Sequence, residues 1–348
     1  MPNSRVDFID WLKAIGMLLI VVGHFFGEPF DQFTQPVYPK QLGVAFFVFV
    51  MGWGLASETR PHWQVVYNRL FPMYFWGIAI TLLISFLSLS IIGSLKLTNF
   101  LPFLGGINVL ANNFPSNPTT WFIGTYLHIL LLWALLLRRL TMSVQLLIVV
   151  FLVEWVVRGL LIEGGYLYNA YMLTTNWLSI LALGMFLSQQ TDKPPHRLTV
   201  IIIASLWLLF LACWAGAMNS YFNFEHSFPI KTLSQPYGLI SSLGLSFGVS
   251  LVYIINTLFA VVLFQHLRAS ALVRFFARNT IIVFIAHMPL YDVAEPIARL
   301  FVESGWGKRA IIVFIMFVGL SALSELLHRL IDTNKLKKSI WNKFHKVA

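Results

Sequence analysis

The 348-residue chain is 58% hydrophobic and 11% charged, with a mean hydropathy of +0.75. A soluble domain carries about 25% charged residues, so this composition, with its repeated apolar runs near ~20 residues, excludes a soluble globular fold and leaves the bilayer as the medium. The net charge of +10 then reads as lysines and arginines gathered on one side of a membrane, not as a nucleic-acid surface, and the single cysteine, Cys213, excludes an intrachain disulfide framework.

Taken in chain order, apolar runs predict helices near 8–26, 42–57, 70–92, 121–137, 144–162, 172–188, 198–218, 240–267, 278–297 and 310–331. The expectation is an all-α, polytopic membrane protein of about ten transmembrane helices. Arg5 and the run Ala14 to Val22 imitate a signal peptide, but Gly27-Glu28-Pro29 offers no small-x-small cleavage site, so the run is kept as the first membrane helix. The ninth run holds His287, Pro289, Asp292 and Pro296, which at membrane depth are tolerated only where protein or water surrounds them. The polar gaps are too short for a second folded domain. Residues 1–348 are therefore expected to form a single membrane-integral domain, with 332–348 as a basic cytoplasmic tail.

Ten crossings put both termini on one side. The segments on that side hold Arg5, Arg60, Arg69, Arg138, Arg139, Lys193, Arg197, Arg268, Arg274 and Arg278, and the tail adds Lys335, Lys337, Lys338, Lys343 and Lys346. The opposite segments hold Lys40, Lys96, Arg158, Lys231, Arg299, Lys308 and Arg309. Basic loops stay in the cytoplasm, so the expected placement is a bacterial inner membrane with both termini cytoplasmic.

The first helix concentrates the ionisable groups, and inside a membrane these are functional candidates by default. At 100° per residue Lys13 and His24 lie about 20° apart around the axis and about 16 Å apart along it, with Asp10 within about 60° of both. Gly16, Gly23 and Gly27 form a neighbouring stripe on which another helix can approach closely. Taken alone, Lys13 is equally explained by snorkelling to the cytoplasmic headgroups, and His24 by an interfacial position. Their shared face points to a polar-lined cavity, and composition goes no further.

The order of several short motifs goes further. Ile9-Asp10, Lys13-Ala14 and Gly16, ending in Gly23-His24, resemble the opening of acyltransferase family 3, whose signature is Arg or Lys, ten residues, then His. Phe46-Phe47 through Met51-Gly52 resembles the aromatic Ser-Gly segment of that family's second helix, with Met51 where serine is usual. Arg69-Leu-Phe-Pro72-Met-Tyr74 resembles its third-helix motif, Thr120-Trp121-Phe122-Ile123 its Trp-Phe-Leu segment, and Ile285-Ala-His287-Met-Pro289 its late His-x-Pro segment. Departures are equally visible. Arg69 stands alone where many members pair arginines, and Tyr126 and His128 follow the Trp-Phe segment where some members carry glutamate.

The resemblance implies a membrane enzyme that moves an acyl group, usually acetyl from acetyl-CoA, onto a hydroxyl of a sugar or cell-surface glycan. It needs no metal and no nucleic acid; its partners are the acceptor, the acyl-CoA and the bilayer. Acyl transfer needs a base for the hydroxyl proton and positive charge where the oxyanion develops. His24 is the first-helix group whose ordinary pKa suits the base or acyl-relay role, with Lys13 and Asp10 beside it. Lys13, Arg69, Arg138 and Arg139 are the expected cations for the donor's phosphates. Weaker candidates for substrate binding are Trp121, His287 and the i, i+4 pair Glu154–Arg158, which is also a natural structural ion pair. The rival from another class is a transporter or flippase for a polar or lipid-linked sugar, which the broken helices suit; the missing internal repeat and the Lys-x10-His spacing count against it.

Overall fold

A computed structural model describes residues 6–25, 39–92, 99–190, 197–213 and 238–345. Arg5, the Gly27-Glu28-Pro29 segment, Lys96, Lys193, Lys231 and Lys346 lie outside the described residues. The described chain is all helix, 84% of it, with no strand among the described residues. The main helices are α1 (Asp7–Phe25), α2 (Pro39–Ala56), α3 (His62–Ile92), α4 (Trp121–Leu135), α5 (Val144–Glu163), α6 (Leu178–Ser188), α7 (Arg197–Cys213), α8 (Leu239–Phe264), α9 (Ala271–Ala286), α10 (Tyr291–Arg299), α11 (Gly305–Leu330, with a π-helical stretch at Ile315–Gly319) and α12 (Thr333–His345).

Among the described residues, six helical stretches are long and apolar enough to cross a bilayer: Asp7–Phe25, His62–Leu87, Pro118–Arg139, Val144–Glu163, Leu239–Phe264 and Gly305–Leu330. The pair α9 and α10 makes a seventh only as a broken span, bent by 100°. The remaining predicted runs form shorter helices, Lys40–Ala56, Leu178–Ser188 and Leu198–Ala212. The sixth predicted helix divides because Thr174-Thr175-Asn176 interrupts it as a 3-10 turn between the short helix Leu167–Met172 and α6. The ninth bends where α9 stops, directly before His287 and Pro289.

The chain forms two compact units. The first comprises Met1–Glu58, Val109–Asn112 and Leu136–Ala277. Here α1 packs on α2, α2 on α6, and α8 on α5 as well as on α1 and α2. Glycine makes the closest of these contacts possible. A Cβ on Gly43 would strike the Gly16 carbonyl oxygen and Ile20, and one on Gly184 would strike the Phe49 carbonyl oxygen. In a membrane, where apolar burial alone does not drive helices together, such backbone approach supplies much of the packing. At the far end of α1, Asp7 pairs with Arg274 at 3.2 Å, and the Trp11 indole N–H donates to the Arg268 carbonyl at 3.3 Å.

The second unit comprises Thr59–Asn108, Asn113–Leu135 and Arg278–Ala348. Its α3 packs on α4, and Pro72 is accommodated inside α3. The amphipathic α12 docks on α3 through Tyr67, whose ring meets Trp341 at 4.8 Å and whose hydroxyl donates to the Lys337 carbonyl at 2.9 Å. Burial, with Arg60 and Lys338 nearby, holds the Lys337 amine below its ordinary pKa. Glu325 bridges Arg278 at 2.8 Å and Arg329 at 3.5 Å, tying α9 to α11.

Because Gly184 meets backbone and not a flexible side chain, Gly184→Ala is expected to destabilise the protein by about 1–3 kcal/mol. A lowered thermal midpoint in detergent checks this, and an unchanged midpoint refutes the packing.

Candidate active site

The first-helix residues fall on one helix, as their spacing requires. Asp10 is buried, Lys13 half-buried and His24, in the last turn of α1, exposed. The stripe thus passes from the interior of the first unit at Asp10 to an open position at His24. The His24 ring lies 6.1 Å from that of Phe25. In the same unit, Arg138 and Arg139 are exposed on a 3-10 turn, Leu137–Arg139. Arg69 is half-buried on α3 in the second unit and hydrogen-bonds Tyr126.

Glu154 and Arg158 form a fully buried ion pair at 3.0 Å on α5. A guanidinium carries five N–H donors, and here all are engaged within the first unit. Nε donates to Ser246 Oγ at 3.1 Å, and Nη1 to Glu154 Oε1 at 3.0 Å and Asn176 Oδ1 at 2.8 Å. Nη2 donates to the Ser246 carbonyl at 2.6 Å and to Ser250 Oγ. Glu154 also accepts from Ser250 Oγ at 2.7 Å and from the Ser179 backbone N–H at 2.6 Å. The pairing continues along the helices, with Ser242 Oγ donating to Glu163 at 2.7 Å. The order 163 to 242, 158 to 246 and 154 to 250 makes α5 and α8 antiparallel. Asn176, Ser246 and Ser250 are site neighbours that the sequence reading missed, although serine at every fourth position of an apolar helix was a visible signal.

In the second unit Trp121 is buried at the start of α4 and His287 is buried just beyond α9. Phe122 bridges them, its ring 5.0 Å from that of Phe284, which lies 5.9 Å from His287. Residues 6–325, nearly the whole chain, match a family model described as an acyltransferase domain. The chain belongs to acyltransferase family 3. No curated protein and no solved structure matches it.

In this membrane acyltransferase the segment around Thr120-Trp121-Phe122 and the segment around His287 hold each other. Asn117 Nδ2 and Thr119 Oγ1 both donate to the Ile285 carbonyl, at 2.8 and 2.9 Å. His287 Nδ1 lies 2.7 Å from the Phe284 carbonyl, so Nδ1 carries the proton in that contact. A helix that ends at membrane depth leaves its last carbonyls without intrahelical partners. Of these, the Ile285 carbonyl is met by side chains from the segment preceding α4, just before the bend at His287.

Removing one partner from a buried pair strands the other charge, at a cost of about 3–5 kcal/mol. Arg158→Met is therefore expected to reduce the yield and the thermal midpoint of the acyltransferase sharply. A variant as stable as the parent would show that the pair is not held in the described geometry.

Proposed function

We propose that the protein is an O-acyltransferase that moves an acyl group, acetyl in the usual case, from cytoplasmic acyl-CoA to a hydroxyl of a sugar or cell-surface glycan. Membership of an acyltransferase family gives the reaction class, and the single observation that carries the finer reading is the α1 stripe of Asp10, Lys13 and His24. The acceptor oxygen attacks the thioester carbonyl, the new C–O bond forms and the C–S bond breaks. His24 takes the hydroxyl proton and delivers it to the departing thiolate, or carries the acyl group itself between the two. Lys13 favours the developing oxyanion or the donor's phosphates, and Asp10, three residues before it, orients it. Arg138 and Arg139 are exposed cations for the phosphates in the same unit. Arg69 is a separate candidate, tested on its own because Tyr126 already engages it.

Placement belongs to the same proposal. The ten-crossing reading counts the bent pair and the three shorter apolar helices as spans beside the six long ones. An even number puts both termini on one side, and the basic residues make that side the cytoplasm of a bacterial inner membrane.

Cells with and without the gene are expected to differ in glycan mass by one acetyl unit per site. His24→Ala is expected to lower transfer by about 10²–10⁴-fold, the range for loss of a positioned acid–base group. Lys13→Gln is expected to act on the acetyl-CoA KM, on kcat, or on both. A folded His24→Ala protein that acetylates at the parental rate defeats the mechanism. Saturable uptake of a sugar with no covalent change favours transport instead.

A further inference from the structure

The Glu154–Arg158 pair is completely satisfied, yet polar groups beside it are not. Among the described residues, Thr174 Oγ1, Thr175 Oγ1, Ser179 Oγ and Thr257 Oγ1 are buried without a hydrogen-bond partner. All four belong to the first unit. Three fall within the stretch leading from the 3-10 turn into α6, and the fourth lies on α8, one turn beyond Tyr253. The two elements meet beside them. The Trp177 and Tyr253 rings stack at 5.1 Å and 18°, and the Tyr253 hydroxyl is hydrogen-bonded to the Asn176 side chain. Asn176 and the Ser179 backbone are fixed by Arg158 and Glu154.

Buried polar atoms in native proteins almost always find partners, and in a bilayer interior bulk water is not on hand to serve them. A group of them in one place is the kind of local inconsistency that folds retain for function. We propose that Ser179 and Thr257, with Thr174 and Thr175, form the subsite for the acceptor: a neutral, polyhydroxylated ring or chain segment. This rests on the acyltransferase reading above. The chemistry of the wall selects the acceptor over the phosphates of the donor. Glu154 and Arg158 cancel in charge, all five donors of Arg158 face protein groups, and the remaining polar atoms are uncharged. Hydroxyls both donate and accept, which matches the hydroxyls of a sugar. Glu154 and Arg158 act here as positioning residues.

Ser179→Ala and Thr257→Val test the subsite, because each removes an unpartnered hydroxyl with little change in volume. The probe is envelope polysaccharide extracted from cells lacking this protein, with acetyl-CoA as donor. In both variants the thermal midpoint is expected to stay level or rise, while the apparent KM for polysaccharide rises about 3- to 10-fold, the equivalent of one neutral hydrogen bond. The KM for acetyl-CoA is expected to stay unchanged. Unaltered polysaccharide KM overturns the proposal and leaves these atoms to ordered water, and a rise confined to acetyl-CoA overturns it in favour of the thioester arm. A readout without turnover separates this inference from the functional one. Polysaccharide is expected to raise the midpoint of the parent protein and not of the variants. That pattern without acetyl transfer by the parent supports the subsite and defeats the enzyme reading; an equal shift in parent and variants defeats the subsite.

Discussion

An arginine surrounded by hydrocarbon is stable only when protein groups replace the water it has given up. Arg158 meets that condition by drawing on three separate stretches of chain: Glu154 one turn back on α5, Asn176 on the 3-10 turn, and Ser246 and Ser250 on α8. Because each contact is directional, the guanidinium sets the register of α8 against α5 and the position at which α6 begins. Moving α8 by one residue would carry its serines off the face that meets α5 and leave the charge exposed to apolar side chains. The α5–α8 pairing and the placement of the 174–179 stretch therefore follow from one buried charge. The glycine contacts of α1 with α2, and of α2 with α6, then attach the helix bearing Lys13 and His24 to the same frame.

Much of this was legible in the residues. Long uninterrupted apolar runs became long helices, as with 144–162 and 240–267, where length and composition leave no competing structure. The i, i+4 spacing of Glu154 and Arg158 was enough to predict their pairing, and the stripe of Gly16 was enough to predict a close helix, found as α2 at Gly43. The run 172–188 was misread as one helix because average hydropathy outweighs three polar residues in such a window, whereas the backbone responds to Thr174-Thr175-Asn176 locally. There the backbone closes i, i+3 hydrogen bonds instead, from Asn176 N–H to the Leu173 carbonyl and from Trp177 N–H to the Thr174 carbonyl, both at 3.0 Å.

The site was legible only where its members are close in sequence. Asp10, Lys13 and His24 share a helix, so angular arithmetic relates them. Asn176 and Ser250 reach Arg158 across 18 and 92 residues of chain, and no periodicity connects such positions. The same holds for Arg69 with Tyr126 and for Asn117 with Ile285, in which a motif visible in the sequence acquires its partner only through tertiary packing. Motifs marked the candidate segments, while long-range hydrogen bonds decide what each segment is held against.

The contrast between the two halves of the polar cluster bears on the proposed acceptor subsite. If the cluster served stability alone, its neutral hydroxyls would be as well paired as its charges, since each unpaired group opposes folding and a methyl group would remove that opposition at no steric cost. Glu154 and Arg158 are both paired, and Thr257 and Ser179 beside them are not. A rigid, saturated ion pair holding unsaturated neutral groups in place is preorganisation: the costly part of ordering polar atoms is completed during folding, so a ligand that supplies the missing partners gains their full interaction. The charge is thus confined to the scaffold, and selectivity is left to groups that match uncharged hydroxyls.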